Sequence, residues 1–169
     1  LNPCNRKLDF MILCKGYEWI SWDEYHSFRN YVFVEITPLN LAIENDNIEI
    51  IKMLLENKNT DINLFSNFSR NNPYNNYNDT ESYKLMSPLH AAVEKENLEI
   101  IQLLLENESI DTNLISIELL NNPDGNGKNI VRRESTALAI AVENESFETV
   151  KLLISSEKVD INLPSISTT

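Results

Sequence analysis

The chain holds 169 residues, 42% of them apolar, and carries a formal net charge of −12 from 26 acidic and 14 basic side chains. That apolar share supplies a core and excludes general disorder, and no apolar run approaches the roughly 20 residues that a membrane span requires. Phosphate repulsion argues against nucleic acid as a partner; the charge suits a basic protein partner, although a solvated coat that keeps the protein soluble is the plainer reading.

Residues 1–36 hold both cysteines, Cys4 and Cys14, and a concentration of aromatics: Tyr17, Trp19, Trp22, Tyr25, Phe28, Tyr31 and Phe33. Two thiols fall short of a four-ligand zinc site, and so few cysteines suggest a reducing compartment, so a cytoplasmic setting is expected. His26, in this stretch, reads as a packed or solvated loop histidine.

From Thr37 onward the sequence repeats. Thr37-Pro38-Leu39-Asn40-Leu41-Ala42-Ile43-Glu44 returns as Ser87-Pro88-Leu89-His90-Ala91-Ala92-Val93-Glu94 and as Thr136-Ala137-Leu138-Ala139-Ile140-Ala141-Val142-Glu143. Behind each copy lies a second block, opened by Asn47, Asn97 or Ser146, and each copy closes on an Asp-x-Asn-Leu tetrad at Asp61, Asp111 and Asp160. Three parts recurring in one order at matched spacing mark a repeat architecture. Thr37, Ser87 and Thr136 are placed to cap a first helix through their hydroxyls, and Pro38 and Pro88 fit its first position, where no N–H is needed. Ala42, Ala92 and Ala141 let a neighbouring helix approach closely. Asn47, Asn97 and Ser146 are placed to cap a second helix, on which Ile48, Ile51, Leu54 and Leu55 form one apolar stripe. A single such hairpin cannot bury its own stripe, so copies must stack.

Ser87-Pro88-Leu89-His90-Ala91-Ala92 resembles the T-P-L-H-x-A signature of the ankyrin repeat, and the resemblance extends over three copies from Thr37 to Leu163. It implies an all-α fold: an ankyrin-type solenoid of stacked helix-turn-helix repeats with extended β-hairpin or loop fingers. The expected division is a partial preceding repeat and aromatic-rich finger over 1–36, repeats over 37–64, 87–114 and 136–163, inserted fingers over 65–86 and 115–135, and the start of a further finger over 164–169. Asp9-Phe10-Met11-Ile12 resembles a degenerate closure of the preceding repeat. Further repeats of the same array are expected, with apolar surface exposed at both faces of the stack.

The sequence departs from the family in two ways. Thr37, Ser87 and Thr136 lie 50 and 49 residues apart instead of about 33, and the surplus falls in the fingers, where lengthening a loop costs only about 0.6 kcal/mol per doubling. The family's glycine between paired helices is replaced by Asp46, Glu96 and Glu145. His90 reads as a structural residue tying down its own helix turn. No nucleophile–base pair or phosphate-binding glycine loop is present, Asp124-Gly125-Asn126-Gly127 lacks the alternation of a calcium loop and reads as a turn, and Arg132-Arg133 is too short for a nucleic-acid patch.

What remains is surface for recognition. The resemblance implies a concave groove lined by the fingers and first helices, which matches to Glu44 and Asn45, Glu94 and Lys95, and Glu143 and Asn144. The first finger adds Phe65, Phe68, Tyr74, Tyr77 and Tyr83 on a polar background, a composition suited to binding; these rings equally suit pinning the finger to the stack. The expected function is a protein–protein interaction scaffold or adaptor, without enzymatic activity or cofactor. The alternatives are the non-catalytic array of a larger enzyme (kinase, peptidase or ubiquitin ligase), or a structural spacer.

Overall fold

The computed structural model describes residues 36–70, 82–121 and 130–168. The readings of residues 1–35, of the turn at Asp124, and of Tyr74 and Tyr77 lie outside the described residues. Among those described, three helical hairpins follow one another: α1 (Pro38–Glu44) with α2 (Ile48–Glu56), α3 (Pro88–Glu94) with α4 (Leu98–Glu106), and α5 (Ala137–Glu143) with α6 (Phe147–Ser155). The first helices pack on one another in sequence, α1 on α3 and α3 on α5, and the second helices do the same. Ala42, Ala92 and Ala141 lie buried in the inner row, with no side chain large enough to hold the helices apart. Leu39, Ile43, Ile51, Val93, Ile101 and Leu104 are buried around them in one continuous core.

The fingers depart from an all-α class. The first pairs β1 (Ser66–Arg70) with β2 (Ser82–Met86), and the second pairs β3 (Ile115–Asn121) with β4 (Ile130–Thr136). They are not separate hairpins: β2 also pairs with β3, and β4 with the short β5 (Ile166–Thr168), giving one antiparallel sheet in the order β1-β2-β3-β4-β5. The fold is therefore a helical stack carrying a continuous sheet along one side. The sequence reading placed the hairpins but missed their joining edge to edge, because that pairing depends on how the helices space the fingers.

Two of the expected caps are diverted. Thr37 Oγ1 accepts the N–H of Asn40 at 3.1 Å and Thr136 Oγ1 that of Ala139 at 3.2 Å, whereas Ser87 makes no such bond. Its hydroxyl lies 2.7 Å from His90 Nδ1, the stronger claim on it in a buried site. Asn47 and Asn97 cap α2 and α4 as expected, but Ser146 donates to Thr149 Oγ1 at 2.9 Å instead.

Each first helix ends on a Schellman motif. The N–H of Asp46 bonds Ile43 O and that of Asn47 bonds Ala42 O, with the same pair at Glu96 and Asn97 and at Glu145 and Ser146. The motif requires a left-handed residue, and Asp46, Glu96 and Glu145 adopt φ of 50°, 55° and 55°. A side chain there costs about 1–2 kcal/mol over glycine, which explains why the family uses glycine and why its absence leaves the turn intact. The Asp46 carboxylate has a compensating partner: the hydrogen bond from Lys95 Nζ at 3.1 Å, then that from Asn97 Nδ2 at 3.1 Å, hold it below the ordinary carboxylate range.

His90 is buried in the junction between α3 and the second finger. Burial pushes its imidazole down to about 4, and the backbone of Ser135 and Leu114 only partly offsets this; Nε2 makes no hydrogen bond of standard geometry. Its equivalent, Asn40, donates Nδ2 to Ser66 Oγ at 2.6 Å and so ties α1 to the first residue of β1.

Two predictions follow from these strained or buried positions. Glu96→Gly and Glu145→Gly each raise the unfolding free energy by about 1 kcal/mol in a urea titration, the relief of the left-handed side chain exceeding the flexibility glycine adds to the unfolded chain. For His90 the folded affinity for protons is the lower one, so its stabilising contribution is complete above about pH 6.5 and lost as pH falls toward 4, by up to about 3 kcal/mol. Unfolding titrations of wild type and His90→Asn across that window check it, the variant having the flatter acid limb.

Candidate binding surface

Residues of β2, β3 and β4 face the ends of α3 and α5 across a shared recess. Two open clefts lie along it. One, of about 220 Å³, is lined by Lys84 and Met86 from β2, Glu94 from α3, Ser116, Ile117 and Glu118 from β3, Arg133 and Ser135 from β4, and Ile140, Glu143 and Asn144 from α5. The other, of about 330 Å³, shares Arg133, Ser135 and Glu143 with it and extends to Ser165, Ile166 and Ser167. The shared residues make the two clefts successive segments of one groove.

The floor of that groove carries a row of alternating charge set by strand register. Lys84 stands opposite Glu118 across β2 and β3, and Glu118 stands opposite Arg133 across β3 and β4; opposite charges so placed attract directly across a ladder. Lys84 Nζ lies 3.2 Å from Glu118 Oε1 and 2.6 Å from Glu94 Oε1, which joins the sheet to the end of α3. Arg133 Nη1 lies 3.8 Å from Glu118 Oε2. Burial alone would lower the Lys84 ammonium, but the hydrogen bonds and negative charge of Glu94 and Glu118 outweigh it and hold the group above its ordinary value. Two carboxylates thus hold one half-buried lysine in place.

The structure separates the residues nominated from sequence. Glu143 and Asn144 are exposed on the groove wall. Glu94 lines the groove but is engaged with Lys84. Lys95 turns away to stitch repeats together, its Nζ reaching Asp46 Oδ2 at 3.1 Å and Glu44 O at 2.8 Å. Glu44 is exposed, and Asn45 donates Nδ2 to Leu41 O at 2.9 Å at the end of its helix. Among the finger aromatics, Phe65 lies with its ring centroid 6.2 Å from that of His90, and Phe68 is half-buried against the core; both pin the finger to the stack. Tyr83 occupies β2 opposite Ser69 and Leu119. The groove's floor, Lys84, Glu118 and Arg133, was not nominated. Its signal was the alternating pattern of the finger strands, which becomes a row of charge only when the register between fingers is known.

Among the described residues no group of three or more His, Cys, Asp or Glu side chains is placed to hold a metal ion, and no helix is long and apolar enough to cross a membrane.

A family model described as ankyrin repeats (3 copies) matches the chain over residues 33–116 and again over 71–165. No curated protein matches the chain.

Because Glu118 bridges Lys84 and Arg133, its replacement leaves two cations facing each other with no anion between them. Glu118→Gln is expected to cost about 1 kcal/mol of stability, within the range of hydrogen bonds to charged groups after discounting for partial exposure. A double-mutant cycle with Lys84→Met checks this, a coupling energy near zero marking the row as ornamental.

Proposed function

The chain belongs to the ankyrin-repeat family, whose repeats are generally protein–protein interaction modules, and from that premise we propose that it is a non-catalytic scaffold or adaptor. Its groove, between the finger sheet and the ends of α3 and α5, takes a segment of a partner protein. One observation carries the reading: two open clefts share Arg133, Ser135 and Glu143, so a binding channel runs across successive repeats above a floor whose charges are already held in position. Preorganised polar groups lose little conformational freedom when a partner docks, which is where such surfaces gain affinity.

The partner segment proposed is basic. The floor carboxylates are engaged with Lys84 and Arg133, whereas Glu44 and Glu143 stand exposed at the ends of first helices, and the net charge of −12 steers positive segments toward the surface. Phe65 and Phe68 contribute by holding the finger, since one ring lies beside His90 and the other is half-buried against the core. The proposed setting is cytoplasmic, supported by the presence of only Cys4 and Cys14 in the sequence.

The test is capture of partners from lysate on immobilised chain, comparing wild type with Glu143→Lys, which lines both clefts. The position is exposed, so helicity and unfolding free energy should match wild type. Specific prey are expected to fall about tenfold in recovery, the effect of losing on the order of 1.4 kcal/mol of attraction. Prey retained at wild-type level by the charge-reversed chain would move the site off the groove.

A further inference from the structure

The two clefts of the groove are copies of each other, one repeat apart. Every residue that lines the second stands 49 positions after a residue that lines the first. Arg133 holds the place of Lys84, Glu143 that of Glu94, Ser135 that of Met86, and Ser167 that of Glu118. Strand register agrees with this match. Lys84 faces Glu118 across β2 and β3, and Arg133 faces Ser167 across β4 and β5. Each charged position of the second cleft therefore has a counterpart whose partners are known.

In the first cleft the cation is satisfied from within the chain. Lys84 Nζ lies 2.6 Å from Glu94 Oε1 and 3.2 Å from Glu118 Oε1, one carboxylate coming from the helix end and one from the neighbouring strand, and its side chain is 27% exposed. The second cleft keeps the cation and loses the strand carboxylate, because Ser167 carries no charge to offer. Nor does Glu143 close on Arg133 as Glu94 closes on Lys84: it is exposed and forms no ion pair among the described residues. The carboxylate that does approach Arg133 is Glu118, from the opposite side, with Oε2 3.8 Å from Nη1. That is near enough for attraction and too far for a hydrogen bond. A guanidinium holds five N–H donors in a planar fork; the Arg133 side chain is 52% exposed and makes no hydrogen bond among the described residues. The two clefts thus differ by residue identity at matched ladder positions.

We propose that Arg133 receives a carboxylate of the partner segment, an Asp or Glu side chain, in the place that Glu118 fills beside Lys84. This rests on the groove being the binding surface and adds a requirement to its partner: a basic segment that also carries one acidic side chain at a set position. The guanidinium fork takes such a group through two parallel N–H···O bonds. Ser135 and Ser167, both shorter than Met86 and Glu118, leave room for it within the cleft. A phosphate is the poorer fit. Its charge of about −1.5 to −2 would face Glu118 and Glu143 as well as the single guanidinium, whereas a carboxylate brings one charge to one. The net charge of −12 draws a basic segment to the surface, and Arg133 then fixes its register, so recognition depends on the order of charges along the partner.

Selection of a random-peptide phage library on the immobilised whole chain tests the proposal, with wild type, Arg133→Gln and Ser167→Glu compared. Both positions are exposed, and unfolding curves check that each variant remains folded. Ser167→Glu sets a carboxylate at the ladder position that Glu118 holds beside Lys84, so it fills the site from within the chain. Wild type is expected to enrich peptides that combine Lys or Arg with one Asp or Glu at a fixed spacing. Both variants keep the basic preference and lose the acidic one. A synthetic peptide of the selected sequence, with its acidic residue replaced by the matching amide, binds wild type about tenfold more weakly, the loss of one hydrogen-bonded charge contact, and binds Arg133→Gln with no such loss. Basic peptides enriched without an acidic preference would remove the site at Arg133 and leave the groove reading standing. An acidic preference that survives Arg133→Gln would seat the carboxylate elsewhere. No enriched peptide at all would overturn the groove reading and this inference together.

Discussion

Helices packed side by side sit about 8–10 Å apart and hydrogen-bonded strands about 4.8 Å apart, so a two-stranded finger spans the width of one helix layer. That match lets β2 meet β3 and β4 meet β5 in one sheet alongside the stack. Were the inner helices held further apart, the fingers would separate into isolated hairpins, which are marginal in water. The buried alanines Ala42, Ala92 and Ala141 keep the inner row close, and so these small side chains also govern the sheet. Long fingers and a tight inner row are two halves of one design, and the groove lies where they meet.

The same dependence decides what could be read from sequence. Much that is local was legible: the phased repeat, Pro38 and Pro88 at helix starts, the Asn47 and Asn97 caps, the structural role of His90, and the surplus length in the fingers. Each rests on residues within one turn or one block of the sequence. What escaped was of two kinds: competition for a hydroxyl within one helix turn, and pairing between distant blocks. The Ser87 hydroxyl fits a cap until the buried His90 ring is brought to it, and Ser146 fits one until Thr149 competes. Lys84, Glu118 and Arg133 belong to three strands, and only register makes them neighbours. Phe65 and Phe68 fitted two roles equally in sequence, and the structure places one ring beside His90 and the other half-buried against the core, which only the tertiary packing could reveal.

The left-handed carboxylates show how a local cost becomes a long-range gain. Glycine at Asp46 would remove strain, but it would also remove the carboxylate that accepts from Lys95 and Asn97 of the next repeat. Lys95 in turn binds Glu44 O, an otherwise unsatisfied helix-end carbonyl. Glu96 and Glu145 carry the same strain without an equivalent ion pair among the described residues. The carboxylate's trade is therefore made at the first junction, while the second is stitched by Lys158, whose Nζ donates to Leu105 O at 2.9 Å and Asn107 O at 3.0 Å.

In an array of this kind stability is approximately a sum of repeat and junction terms, and function inherits that additivity. The groove has no single pocket on which recognition must centre: Arg133, Ser135 and Glu143 belong to two successive segments of it. On the proposed reading, a partner that spans both segments gains from each, while one that engages a single segment is held weakly, so discrimination would come from the spacing of contacts along the partner as much as from their chemistry. That spacing is fixed by the helix layers and not by side chains on the surface. On that reading, substitutions on the groove wall would retune which groups are bound, while the distance between them stays set by the buried alanines beneath.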